Sequence, residues 1–214
     1  MRIDMHIHTR HSMDCRMPVI DVLRAAKARG LDGVAVTDHG TIAGGLEAER
    51  IAEDLGMVTI VGAEMLTDLG EVIGYFLTEE VKAHRYLEVV DEIKGQGGVA
   101  CIPHPFDLLR SSSLRPTQEM LRGIDLVEVF NSRCVFQRFN EDALRFAREN
   151  ALGPSAGSDA HTLDEVGNAG VTVRSLEDLR KGRVEVFGTS SPAHKLLAAK
   201  LRKRLRRLRE GFYP

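Results

Sequence analysis

Two pairs of residues in this sequence have the spacing expected of metal ligands. In MHIHT, His6 and His8 stand two residues apart in a strand-like run, so both side chains leave the same face and can reach one ion. In GSDAH, Asp159 and His161 repeat this spacing with a carboxylate and an imidazole. Such mixed ligands are typical of Zn, Mn or Fe, whereas an all-oxygen set would indicate Mg or Ca. The two pairs predict a transition-metal site.

Further candidate ligands lie between the two pairs. His39 stands in TDHGT, Glu64 in GAEM, and His104 in IPHPF, where the flanking prolines restrict its backbone. Asp14 falls in the first loop, and Asp38 is expected to be a turn residue or to support a ligand. One isolated histidine is more often structural than a ligand. Five histidines and three carboxylates at successive strand ends nevertheless predict metal binding, by His6, His8, Asp14, His39, Glu64, His104, Asp159 and His161.

Short apolar, β-branched runs alternate with helix-like segments along the chain. The predicted helices lie near residues 19–29, 43–55, 81–95 and 137–150. This alternation favours an α/β fold with a parallel sheet. About seven strands are compatible with an open sheet or a barrel, but polar residues at nearly every strand end favour a β/α barrel, whose mouth gathers them. The predicted strands are RIDMHIHT, GVAVTDH, VTIVGAEM, EVIGYFL, GGVACIPHPF, DLVEVFN and GPSAGSDAH.

The composition predicts one globular domain in a reducing compartment. The chain has 214 residues, 43% hydrophobic and 28% charged, with 5% aromatic residues and no Trp, so its core must be mainly aliphatic. The three cysteines form no paired framework and are interpreted as free thiols. The N-terminus lacks the apolar core of a signal peptide, and no apolar stretch approaches membrane-spanning length. We therefore expect a cytoplasmic protein without a transmembrane segment.

The last twenty residues differ in composition from the rest. Residues 195–214 carry eight Lys and Arg against one acidic residue, whereas residues 1–194 carry 21 basic and 30 acidic residues. Four leucines of this segment fall on one helical stripe, which predicts a basic amphipathic helix after a barrel of residues 1–194. The helix is expected either to dock through its leucines or to contact nucleic acid or an anionic membrane. The leucines are Leu197, Leu201, Leu205 and Leu208.

Over roughly residues 1–195, the sequence resembles the PHP (polymerase and histidinol phosphatase) domain family. The resemblance implies a distorted seven-stranded, TIM-like β/α barrel with two or three divalent metal ions and phosphoesterase activity. Glu64 matches the carboxylate that usually bridges two metals. Two residues depart from the family pattern: Asn131 and Glu71 stand where some relatives have metal-binding histidines, which puts the third metal in doubt. The stretches that carry the resemblance are MHIHTRHSMD, GVAVTDHGTIAG, VGAEML, CIPHP, VEVFNS and GSDAHT, and the eight residues named above match the family's ligand positions.

The predicted activity is hydrolysis of a phosphate ester by a metal-activated hydroxide. The substrate would be a phosphorylated small molecule or nucleotide, hydrolysed by a phosphatase or a phosphodiesterase. His104 or His161 could protonate the leaving group, and Arg133, with Arg10 and Arg16 after it, is the best-placed phosphate-binding cation. Two alternatives are a nuclease acting on nucleic-acid ends through the basic segment, and a non-catalytic metal-binding regulatory domain.

Overall fold

The computed structural model describes residues 1–110, 112 and 114–191, which form nine β-strands and five α-helices. The helices are α1 (Val19–Ala28), α2 (Ala43–Ala52), α3 (Tyr86–Gly95), α4 (Gln137–Glu149) and α5 (Leu176–Arg180). The strands are β1 (Arg2–Ile7), β2 (Gly33–Val36), β3 (Val58–Leu66), β4 (Glu71–Tyr75), β5 (Val99–Ile102), β6 (Leu126–Asn131), β7 (Gly153–Gly157), β8 (Ala169–Thr172) and β9 (Glu185–Gly188).

The strands form one sheet that curls into a nearly closed barrel. Their order is β7-β6-β5-β4-β3-β2-β1-β8-β9. The end of β1 also meets the segment after β7, because Ile7 forms a bridge with Ala160 and the His8 N–H donates to the Ala160 carbonyl at 3.1 Å. The Asp159 N–H donates to the His6 carbonyl at 2.7 Å. These contacts bring β1 and the segment after β7 side by side, and so close the barrel beside the predicted ligands.

The predicted α/β barrel is confirmed, but the predicted number of strands is corrected. The seven predicted strands correspond to β1–β7, and β8 and β9 are additional. Each of these four-residue strands has only two apolar side chains, Ala169 and Val171 in β8 and Val186 and Phe187 in β9, too few to give an apolar run in the sequence. They pair antiparallel with each other, and β8 pairs antiparallel with the beginning of β1.

The prediction of a parallel sheet is wrong at β4. This strand runs antiparallel to both β3 and β5. Only residues 67–70 separate β3 from β4, and a parallel crossover needs a dozen or more residues, so the connection must be a hairpin. The first residue of β4, Glu71, consequently lies at the same end of the barrel as the last residues of β3 and β5.

Helices on the outside of the barrel bury its aliphatic strands. Predicted helices near 19–29, 43–55 and 137–150 are confirmed by α1, α2 and α4, whereas α3 begins only at Tyr86. All three cysteines are free, as predicted, and the structure buries them. No helix among the described residues is long and apolar enough to cross a membrane. The predicted basic helix of residues 195–214, and with it the domain boundary at 194, lies outside the described residues.

A buried carboxylate, Asp4, fastens β1 to the segment after β7. Its Oδ1 accepts from the Ser158 N–H at 2.9 Å and the His6 N–H at 3.2 Å, and its Oδ2 accepts from the Gly167 N–H at 2.8 Å. Burial raises the pKa of Asp4 to about 6, and its hydrogen bonds oppose that rise. Asp4 satisfies three backbone donors in the region where β1 and β7 lack a regular ladder.

We predict that Asp4→Ala lowers the free energy of unfolding by about 3 kcal/mol at pH 7, because it leaves buried N–H groups without an acceptor. Urea unfolding monitored by circular dichroism would measure the change. The exposed Asp54 provides the matched control, since Asp54→Ala is expected to stay within about 0.5 kcal/mol of the wild type. Equal stability of the two variants would contradict the assigned role of Asp4.

Candidate metal centre

Glu64, near the end of β3, lies at the middle of the predicted ligands. Its carboxylate is only 2% exposed and contacts four imidazoles from three other parts of the barrel. Oε1 is 3.0 Å from His104 Nε2. Oε2 is 3.1 Å from His39 Nδ1, 3.4 Å from His8 Nε2 and 3.6 Å from His6 Nε2. One carboxylate therefore connects the ends of β1, β2, β3 and β5.

Two further carboxylates complete this cluster on the side of β1. Asp159 Oδ1 lies 3.3 Å from His8 Nε2 and 3.8 Å from His6 Nε2. Asp14 Oδ2, from the first loop, lies 3.4 Å from His161 Nε2 and 3.6 Å from His39 Nε2. The structure thus brings together all eight side chains that the sequence predicted, although they are spread over more than 150 residues of chain.

The ligand atoms fall into overlapping groups that could each hold an ion. In each group the nitrogen and oxygen atoms lie within 4.8 Å of one another. Imidazole nitrogens with carboxylate oxygens form the donor set that Zn, Mn and Fe accept. The groups are His6, His8 and Glu64; His8, His39 and His161; His39, Glu64 and Glu71; and His6, His104 and Glu128.

Hydrogen bonds to the Nδ1 atoms fix the orientation of His6, in β1, and of His8, directly after it. Glu128 Oε1 lies 3.0 Å from His6 Nδ1, and Ser12 Oγ lies 3.1 Å from His8 Nδ1. Ser12 donates its own hydrogen to Asp38 at 2.9 Å, so its oxygen must accept from His8. Both Nε2 atoms consequently point into the cluster, only 3.2 Å apart.

The protonation of this pair shows that the residues fit a cation. Burial lowers the pKa of His8 to about 3, with neighbouring histidines acting in the same direction, so its Nε2 carries a lone pair. Although burial opposes it, the surrounding carboxylates, Glu128 first, hold the pKa of His6 well above its usual range. These opposite shifts favour a proton on His6 Nε2 that His8 Nε2 accepts across the 3.2 Å between them. A metal ion in place of that proton would meet two lone pairs that are already aimed at it.

The backbone is strained at two predicted ligands. His104 has a φ of 28° and Asp159 has a φ of 54°. Residues other than glycine rarely adopt these positive φ values. The His104 N–H is held by Glu128 Oε2 at 2.8 Å. Residues kept in such conformations cluster at functional sites, where surrounding contacts compensate for the strain.

One known protein family matches most of this chain. The profile of the PHP domain family matches residues 4–208. The chain belongs to the PHP domain family. Two uncharacterised proteins of Methanocaldococcus jannaschii are similar to it, one 35% identical over 182 residues (82% of this chain, 72% of the relative) and one 36% identical over 145 residues (62% and 82%).

Solved structures share the fold of this PHP domain. A two-domain protein from Bacteroides vulgatus containing a predicted PHP-like metal-dependent phosphoesterase has a TM-score of 0.69 at 20% identity, covering 88% of this chain. The present chain spans 64% of that protein's length. A putative metal-dependent phosphoesterase from Bifidobacterium adolescentis has a TM-score of 0.64 at 20% identity, covering 75% of this chain and 87% of that one.

The predicted phosphate-binding arginines lie at unequal distances from the PHP-domain centre. Arg133 Nη1 is 3.3 Å from the Asp159 carbonyl and 3.5 Å from Glu165 Oε2, so it lies at the edge of the cluster. Arg10 instead pairs with Glu47 and is 55% exposed. Arg16 is exposed as well, as is His84, and His11 also pairs with Glu47. His194 lies outside the described residues.

Three residues of the centre were not recognised as participants from the sequence: Ser12, Arg110 and Glu128. Glu128 alternates with apolar residues in VEVFN, which is the pattern of an ordinary strand, and its inward direction depends on barrel closure. Arg110 stands in the long loop after β5 and reaches Asp159 at 2.6 Å. Asp38, expected to be a turn or supporting residue, acts as an acceptor for Ser12 and for Thr9.

We predict that Glu128→Gln weakens Mn²⁺ binding about 10- to 100-fold. Glu128 accepts from His6 at Oε1 and from the His104 N–H at Oε2, and a carboxamide replaces one of these two oxygens with an NH2 donor, so one of the two hydrogen bonds is lost. Competition with a fluorescent chelator would measure the affinity. Glu49→Gln, on the exposed face of α2, should leave it unchanged, and an undiminished affinity in the Glu128 variant would show that His6 is oriented by other contacts.

We also predict that metal binding releases protons at neutral pH. Burial opposes protonation of His39, but the carboxylates of Asp14 and Glu64 raise its pKa to about 10, so it is protonated at pH 7. An imidazole must lose its proton to bind metal, so affinity should rise with pH, about tenfold per pH unit for each proton released. Calorimetric titrations in two buffers of different ionisation enthalpy would count the protons. Identical enthalpies in both buffers would contradict the prediction.

Proposed function

We propose that this PHP domain is a metal-dependent phosphoesterase that hydrolyses a phosphorylated small molecule or nucleotide. The observation that carries the proposal is the pair of neighbouring ligand groups that share His8, one with His6 and Glu64 and the other with His39 and His161. Neighbouring divalent ions of the Mn, Zn or Fe type would lower the pKa of a bound water and hold the oxygens of a phosphate group. Both groups lie at the mouth of the barrel, and β/α barrels carry their active sites there.

Other residues of the chain orient the imidazoles and supply positive charge for the phosphate group. Glu64 contacts histidines of both ligand groups, and Ser12 and Glu128 hold the imidazoles of His8 and His6 in orientation. Two guanidinium groups, those of Arg110 and Arg133, lie on the Asp159 side of the cluster. Fixed positive charge at this side favours a dianionic phosphate group. The arrangement therefore supports binding of a phosphate group between the imidazoles and the arginines.

Two histidines were predicted to give a proton to the leaving group, and their exposure differs. The side chain of His104 is 1% exposed, and its Nδ1 has no hydrogen-bond partner among the described residues. The side chain of His161 is 18% exposed, and Asp14 lies 3.4 Å from its Nε2. A proton donor must reach the departing oxygen, so the greater exposure of His161 favours it over His104 for this role, which His161 could fill only while its Nε2 is not bound to a metal ion. His104 is then assigned to metal binding.

The proposal predicts that Mn²⁺, Zn²⁺ or Fe²⁺ restores hydrolysis of generic phosphomonoesters, phosphodiesters or mononucleotides to metal-free protein. The double substitution Asp159→Ala, His161→Ala should lower kcat/KM at least about 1000-fold, because it removes a carboxylate and an imidazole from the cluster. His84→Ala, which removes an exposed histidine, is the matched control and should retain full activity. Stoichiometric metal binding without turnover of any ester would contradict the proposal.

A further inference from the structure

The amide of Asn131, at the end of β6, has no capacity left for a metal ion. Its Oδ1 accepts from the Arg133 N–H at 2.9 Å and from Arg110 Nη2 at 3.3 Å. Its Nδ2 donates to Glu128 Oε2 at 3.0 Å and to Asp159 Oδ2 at 3.4 Å. A carboxamide offers two lone pairs and two hydrogens, so all four are engaged. Asn131 is also completely buried and cannot turn towards another partner without breaking these contacts.

Arg110 brings a positive charge to this side of the centre. Its Nη2 lies 2.6 Å from Asp159 Oδ2, and its Nε lies 3.0 Å from Oδ2 of the buried Asp107. The guanidinium is thus fixed by two carboxylates and by the Asn131 oxygen.

Asp159 consequently lies between two different cation positions. Its Oδ1 faces the Nε2 atoms of His8 and His6, whereas its Oδ2 faces Arg110. A divalent ion bound to Oδ2 and to Asn131 would have to displace the guanidinium or stand beside it. Repulsion between like charges is strong at a site with so little exposure to water.

We propose that the guanidinium of Arg110 takes the place of a metal ion on the β6 side of the centre. Metal ions then bind to the histidine side of Asp159 and not to Asn131 or to Asp159 Oδ2. The inference rests on the proposed function, because it names the group that would hold a phosphate oxygen on that side. A planar guanidinium reaches Asp107, Asn131 and Asp159 at once, which a lysine ammonium on a flexible stem would not do. It supplies charge and hydrogen bonds there, without activating water.

Anomalous diffraction from Mn²⁺-loaded crystals of the full chain would test the inference. In the wild type we expect Mn peaks among the histidines and none within about 2.5 Å of Asn131 Oδ1 or Asp159 Oδ2, the range of a ligand bond. The double variant Arg110→Gln, Asn131→His should gain a peak beside the introduced imidazole and bind one more ion per chain by elemental analysis. Asn131→His alone, which keeps the guanidinium, is the matched control and should gain none.

Several outcomes would overturn the inference. A Mn peak on Asn131 in the wild type would show directly that Arg110 does not replace an ion. A double variant that keeps the wild-type Mn peaks but gains none would show that the guanidinium is not what excludes metal. The same gain in Asn131→His alone would assign exclusion to the amide and not to the charge. If the wild type bound no Mn at all, both the inference and the proposed function would fail. Each of the other results would overturn the inference alone.

Discussion

The carboxylate of Glu64 sits in a barrel mouth with almost no access to water and touches four imidazoles. A buried charge of this kind is tolerated only with compensating positive charge. The carboxylates raise the pKa of His6 and of His39, which favours protons on these two imidazoles, and divalent ions could replace those protons. The surrounding loops, the strained backbone of two ligands and the order of the strands all serve to keep this carboxylate and its imidazoles together.

A second set of polar residues holds the first in position. Asp38 acts through Ser12 on His8, and Glu128 acts on His6 and on the backbone of His104. Each of these groups has hydrogen-bond partners, which is necessary because an unsatisfied polar group in such a site is costly. The imidazoles of His6 and His8 are therefore already aimed at the cluster, and binding of an ion would need little reorganisation of them.

The two carboxylate oxygens of Asp159 have different neighbours, so the centre is asymmetric. Imidazoles face one carboxylate oxygen, and a guanidinium faces the other. Arg110 belongs to the loop after β5, so this loop is tied to a candidate ligand that follows β7. Loops at a barrel mouth determine substrate choice. Because Arg110 contacts Asp159, a change in this loop would also alter the surroundings of that candidate ligand.

The sequence by itself predicted the barrel, its first seven strands and the residues that lie together as candidate ligands, because local sequence patterns indicate all three. Apolar β-branched runs predict strands, and residues such as His6 and His8 keep their spacing of two wherever the strand lies. The direction of β4, the two short final strands and the roles of Glu128 and Arg110 were decided by the tertiary structure. No local pattern marks Glu128, which lies in an alternating strand, or Arg110, which lies in a loop, as part of the site. Each acquires its partners only when closure of the barrel brings β6, β7 and the loop after β5 together. Sequence therefore identified the residues that could bind a cation, whereas the fold decided which side of Asp159 carries an arginine.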